Sequence, residues 1–151
     1  MQEAMTSSKV DVTYHETAAG DYTGFSLVLP TAPVPASRPR VTRWGVYYTK
    51  TYQAYRKASH ALLGKSERPQ LTADLGATIE FVCAKPKKTV RLRPNGDIDN
   101  HMKSILDVIV GTKEQPKLYI VDDMQVTQVN ASKRWAEDGE EPHTAITIGV
   151  L

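Results

Sequence analysis

A single cysteine, Cys83, is the only thiol in 151 residues. It excludes an intramolecular disulfide and any cysteine-based zinc site. Because it lies in a strand-like run, it reads as a buried structural thiol. No apolar run approaches the roughly 20 residues that span a bilayer, so no membrane partner is expected. Met1 to Gly20 is polar and lacks the apolar core of a signal peptide, which predicts a cytoplasmic protein. The histidines, His15, His60, His101 and His143, show no ligand spacing. Gly20, Gly24 and Gly45 are scattered and form no phosphate-cradling loop. Repeats are missing too, and nothing marks a second domain. What is there is ordinary for one globular domain: 40% hydrophobic and 24% charged residues, enough for a core.

Charge is unevenly spread. Arg38 to Arg93 carries 13 Lys+Arg against 3 Asp+Glu, whereas the remainder carries 6 against 14. A basic middle beside an acidic end suits a polyanion-binding surface next to a carboxylate site. A solvated surface whose charges mix on folding would also account for it. Two segments concentrate the cations. Arg38-Pro39-Arg40-Val41-Thr42-Arg43-Trp44 places three arginines and a tryptophan within seven residues, apt for phosphate contact, with Trp44 read as packing on the core more than stacking on a base. Lys85, Lys87, Lys88, Arg91 and Arg93 make half of the ten residues from Lys85 to Pro94.

Periodicity orders the rest. Met1 to Asp21 reads as a partly ordered arm, and 22–151 as the domain proper. Tyr22 to Leu29 is a strand. Thr31 to Pro39, broken by prolines, is an extended loop. Lys50 to Leu63 is a helix stopped by Gly64. Its Tyr52 and Tyr55 fall on one face with Leu62 and Leu63, which favours core packing over contact with nucleic acid. Leu71 to Ala84 alternates as a half-buried strand. Asp99 to Val110 is a helix with Ile98, Met102, Ile105, Leu106 and Ile109 on its buried face and Gly111 as its stop. Met124 to Trp135 and His143 to Leu151 are strands. The order β-α-β-α-β-β predicts an α/β (α+β mixed) single domain, a mixed sheet with two helices. His60 reads as a surface or half-buried residue, and His101 as solvent-facing.

The chemistry concentrates between these elements. Asp97, Asp99 and Asn100 stand at a helix start, where anions are ordinarily favoured as caps. Asp99, Lys103 and Asp107 recur every four residues along one face, as a plain ion-pairing stripe would. Asp122 and Asp123 follow after a loop. Asp97, Asp99, Asp122 and Asp123 gathered without a cation would repel, at about 4 kcal/mol for two charges ~4 Å apart. All-oxygen ligands favour Mg²⁺ or Mn²⁺ over zinc. Such an ion polarises a phosphodiester and lowers the pKa of a bound water, and Lys103 could neutralise charge developing on the phosphate. Asn100 could orient a carboxylate.

Gly96-Asp97-Ile98-Asp99-Asn100, Lys103, Asp107 and Val121-Asp122-Asp123-Met124-Gln125-Val126 together resemble the RusA family of Holliday-junction endonucleases. Its pattern is D-hydrophobic-D-N, a lysine four residues on, an aspartate four beyond that, and D-D-x-Q-[VI] before the next strand. Arg38-Pro39-Arg40 with Val46-Tyr47-Tyr48 is similar to the proline- and arginine-rich region of phage-borne members. The resemblance runs from about Phe25 to the C-terminus. The Gly111 to Val121 loop is longer than in compact members, and the Met1 to Asp21 arm is extra. The resemblance implies a homodimeric, Mg²⁺-dependent enzyme that nicks four-way DNA junctions, acting in a bacterial cytoplasm or a phage-infected cell. By position, Asp97, Asp99 and Asp123 are its metal-binding carboxylates and Lys103 its essential lysine. Asp107, Asp122 and Asn100 are supporting residues. Arg38, Arg40, Arg43 and the Lys85–Arg93 cations would hold DNA. Two rival expectations remain: a junction-binding module without catalysis, and a nuclease acting on flaps or other branched nucleic acid.

Overall fold

Alternating side chains dictate a sheet with one apolar face. In the computed structural model, which describes residues 10–37, 40–111 and 119–151, five strands form it. They are Val12–Glu16 (β1), Tyr22–Leu29 (β2), Leu75–Cys83 (β5), Val126–Trp135 (β6) and His143–Val150 (β7), in the order β1-β2-β7-β5-β6. The short strands Arg40–Thr42 (β3) and Gly45–Tyr47 (β4) make a separate hairpin. The pair β5–β6 is parallel, while β1–β2, β2–β7 and β7–β5 are antiparallel. A parallel pair needs a long crossover. Here the crossover carries helix α2, Ile98–Val110. Helix α1, Lys50–Leu63, connects the hairpin to β5.

The core lies between the two helices and one sheet face. Phe25, Leu27 and Leu29 of β2, Leu75, Ile79 and Phe81 of β5, and Ile146 and Ile148 of β7 meet Tyr52, Leu63, Ile105, Val108 and Ile109 of the helices. Each fully buried aliphatic or aromatic side chain contributes about 1.5–3 kcal/mol, so this shared core holds the helices to the sheet. On the opposite face Ser26 and Thr147 bond to each other at 2.8 Å, and the His15 imidazole meets Ser26 at 2.7 Å. A sheet of mostly antiparallel strands tolerates such a solvated polar face. Cys83 is buried, which pushes its thiol up. Among the described residues no helix is long and apolar enough to cross a membrane.

The mixed five-stranded sheet with two helices in one domain agrees with the predicted architecture. Helix α1 has its predicted bounds, capped by the Thr49 hydroxyl, which accepts from the Tyr52 N–H at 3.3 Å. Tyr52 and Tyr55 are core residues, as their spacing predicted. Other details differ. Residues 12–16, placed in the arm, pair with β2 as an edge strand, a long-range pairing that weak local periodicity does not reveal. The arginine-rich segment forms the β3–β4 hairpin, with Thr42 accepting from the Trp44 N–H at 3.1 Å to fix its turn. Met124 and Gln125 belong to a 3₁₀ turn, Asp123–Gln125, and β6 starts after it. His60 and His101 are both buried, because the faces that carry them turn into the core. The Thr112 to Leu118 loop and residues 1–9 lie outside the described residues.

Candidate active site

The site is assembled along α2. The chain leaves β5 through a basic loop, and the turn at Pro94–Gly96 aims it into the helix. Gly96 has φ +89°, a left-handed conformation that suits glycine, and a Cβ there would meet Pro35 at 2.8 Å. Asp97 follows as the N-cap, in extended conformation (φ −73°, ψ 146°). Its carbonyl accepts from the N–H groups of Asn100 and His101 at 3.1 and 3.2 Å. Its side chain makes no capping bond, so the exposed carboxylate remains available for another partner. Asp99, exposed in the first turn, accepts from the Asn100 N–H at 3.0 Å. The Asn100 carbonyl in turn accepts from the Ala36 N–H at 2.9 Å, fastening the proline-rich loop to the start of α2.

One turn further on, Lys103 pairs with Asp107 at 3.7 Å. The other oxygen of Asp107 accepts from the Tyr52 hydroxyl of α1 at 3.0 Å. Burial first, and the Asp107 charge next, push the Tyr52 phenol up strongly, so it stays a donor. Asp107 is thus committed to two partners and orients Lys103.

Asp122 and Asp123 reach this row from the other side. Asp122 caps the 3₁₀ turn by accepting from the Met124 N–H at 2.8 Å. Gln125 completes a capping box: its side-chain oxygen accepts from the N–H groups of Val121 and Asp122 at 2.7 and 2.8 Å. Its amide donates to the carbonyls of Leu71 and Ala73 at 2.8 and 3.0 Å, tying the turn to the chain that enters β5. The Met124 N–H, then a bond shared with Asp123, hold the Asp122 carboxyl below its usual range. Asp123 is raised by that shared bond, by burial and by the Asp122 charge; Lys103 lowers it and Asp107 raises it further. Asp123 therefore sits within the electrostatic reach of Lys103 and Asp107.

The structure thus brings Lys103, Asp107, Asp122 and Asp123 together, with Asp97, Asp99 and Asn100 at the head of the same helix. Each helical turn advances about 5.4 Å. Asp123 interacts electrostatically with Lys103 and Asp107, while Asp99 lies one turn before Lys103 and two before Asp107. Among the described residues no group of three or more His, Cys, Asp or Glu stands in a metal-holding arrangement. The donor chemistry nevertheless fits a hard divalent ion: carboxylate oxygens only, an uncommitted Asp97, and an Asp123 whose bond to Asp122, burial and like-charged neighbours disfavour its ionisation.

Lys85, Lys87, Lys88, Arg91 and Arg93 are exposed on the loop that leads straight into Asp97. The Trp135 indole donates to the Arg91 carbonyl at 3.0 Å and pins the loop to the end of β6. Arg43 is exposed at the hairpin tip and stacks on Trp44, 4.9 Å from the ring centroid. Arg38 and the side chain of Arg40 lie outside the described residues.

Sequence reasoning missed several residues that build the site. Gln125 was read only as part of the D-D-x-Q motif, and the D-x-x-Q spacing of a capping box was the available signal for its role in holding the turn. Tyr52 gave none beyond its apolar stripe. His101 packs on Phe81, ring centroids 5.2 Å apart, and bonds through Nε2 to the Asn95 carbonyl at 3.1 Å. Lys133 of β6 donates to the Pro94 carbonyl at 2.9 Å and to the Gly96 carbonyl. No local pattern points to it.

The family model described as Endodeoxyribonuclease RusA matches residues 30–149. No curated protein matches the chain. The matched span takes in the β3–β4 hairpin, the basic loop, both acidic motifs and the strands that hold them, and on that match the chain belongs to the RusA endodeoxyribonuclease family, whose members resolve Holliday junctions.

Proposed function

We propose that this endodeoxyribonuclease resolves four-way junctions by metal-dependent phosphodiester hydrolysis. In this reading Asp97, Asp99 and Asp123 hold Mg²⁺ or Mn²⁺. The observation that carries it is Lys103. This cation is oriented by Asp107, lies within reach of the Asp123 charge and stands one turn from Asp99. A bound divalent ion would supply Lewis acidity toward the phosphodiester and a more acidic water. The ammonium of Lys103 neutralises charge on the phosphate as the bond to the leaving oxygen breaks. Asn100, behind Asp99, and Asp122, beside Asp123, steady the carboxylates. The exposed cations of the Lys85–Arg93 loop and Arg43 grip the backbone on either side and position the scissile bond. A junction offers two equivalent strands, so a homodimer with isologous symmetry would present two such sites. A nuclease with this substrate would work in the cytoplasm of a bacterium or of a phage-infected cell.

The test is a substrate panel. Labelled four-way junction, matched linear duplex and flap are incubated with Mg²⁺, Mn²⁺ or EDTA. Paired nicks in the junction, lost in EDTA, are expected. Asp99→Asn should abolish cleavage and largely spare junction binding. Binding without cleavage by the parent in either metal would sink the catalytic reading, and preferred cutting of flaps would redirect the substrate.

A further inference from the structure

The turn that delivers Asp97 is held by a residue far along the chain. Pro94, Asn95 and Gly96 present three successive carbonyls to donors from other elements. The Lys133 ammonium donates to the first and the third, 39 and 37 residues away in sequence. His101 Nε2 meets the second at 3.1 Å, and since a carbonyl can only accept, that nitrogen carries the proton. Pro35 closes the remaining side, where Gly96 leaves no room for a Cβ. The grip comes from the edge strand β6: Lys133 is in register with Phe81 on the parallel neighbour, and Phe81 also supports the His101 ring. A part-buried ammonium is costly to desolvate unless its N–H groups are satisfied, and backbone carbonyls satisfy it here. An apolar side chain at this position would release two carbonyls next to Asp97.

We infer that Lys133 is a positioning residue for cleavage: by holding the Pro94–Gly96 turn it sets the place of the Asp97 carboxylate. This rests on the proposed function, in which Asp97 takes part in catalysis. Lys133 itself need not touch DNA. Misplacing a working group by about 1 Å can cost about 100-fold in rate, so loss of the grip should be read mainly in cleavage rather than in binding.

The experiment compares Lys133→Met, Lys133→Cys before and after aminoethylation, and Asp97→Asn with the parent. Treated parent controls for Cys83, which is buried. Three readouts are taken: single-turnover junction cleavage in Mg²⁺, junction affinity in EDTA, and amide hydrogen exchange. Lys133→Met should lose about 100-fold in cleavage and keep its affinity. Exchange should quicken at residues 95–101 while the amides of β2, β5 and β7 stay protected. Aminoethylation, which restores an ammonium at nearly the same reach, should recover both cleavage and protection. Asp97→Asn should lose cleavage with the turn still protected. Cleavage by Lys133→Met at the parent rate overturns the inference. So does a general loss of core protection, which would make Lys133 a stabiliser of the whole fold. If the parent cuts no junction, the functional reading fails, and the exchange data still decide whether Lys133 holds the turn.

Discussion

At the scale of single residues, hydrogen bonds decide how the site titrates, ahead of burial and like charge. Asp122 and Asp123 share a bond, and their carboxyls are driven in opposite directions. Asp123 is raised, so it binds its proton more tightly when folded. Its contribution to stability is present below the unfolded value and is lost as pH rises through the folded one. Asp122 is lowered, and its contribution is present above the unfolded value and lost as pH falls through the folded one. Removing the unfavourable charge should therefore stabilise the chain at neutral pH. Asp123→Asn is expected to melt above the parent at neutral pH without divalent ions. The gap should close below the carboxylate range, as thermal melts across pH would show. The same titration bears on activity, because a protonated carboxylate is a poor ligand. Cleavage should fall as pH drops through the raised Asp123 value, and a rate that rises toward acid would contradict the assignment of Asp123.

At the scale of elements, two connections matter more than the helices they join. The 3₁₀ turn at Asp123–Gln125 owes its place to one amide side chain with four hydrogen-bond partners. Leaving buried or half-buried partners unsatisfied costs about 1–3 kcal/mol. Gln125→Ala should lower the unfolding free energy from urea titration by that order and reduce cleavage more than junction affinity. A variant that cuts at the parent rate would show that Asp123 needs no such support. The second connection is the basic loop between β5 and α2. It is pinned by Trp135 at Arg91 and by Lys133 at its end, while its cationic side chains are exposed. Each phosphate contact adds about 0.9 to the slope of log affinity against log salt. Replacing Lys87 and Lys88 with glutamine should therefore flatten the slope by up to ~1.8 if both touch phosphate. An unchanged slope would remove this loop from the interface.

At the scale of the whole molecule, the parallel β5–β6 pair is the organising decision. It requires a crossover, the crossover contains α2, and α2 carries the acidic head together with Lys103 and Asp107. The sheet then returns Asp122 and Asp123 to that helix just before β6 begins. A ligand that binds only this folded arrangement stabilises it by mass action, about 2.7 kcal/mol at a hundred times its Kd. Melting in increasing Mg²⁺ should thus shift upward, and Asp97→Asn or Asp99→Asn should suppress the shift. A parent whose melting ignores Mg²⁺ and Mn²⁺ alike would place the metal requirement, if any, in the DNA complex.

The sequence by itself determined whatever depends on neighbours in the chain. The shared face of Asp99, Lys103 and Asp107 follows from helical period. Helix α1 follows from its apolar stripe and the stop at Gly64. The alternation of β5 and β7 follows from having one buried face. The D-D-x-Q motif was legible through the family resemblance, whereas the bonds of Gln125 to Leu71 and Ala73 were not, because they join distant parts of the chain. Tertiary structure decided the rest. Edge strand β1 exists because β2 offers a partner, not because residues 12–16 show strong alternation. His101 turned inward because α2 lies over Phe81, so a residue adjacent to the acidic motif became support for the turn. Lys133 meets the Pro94–Gly96 carbonyls only because parallel register sets it opposite Phe81. Contacts across dozens of residues depend on strand register and helix packing, which composition and local period do not encode residue by residue.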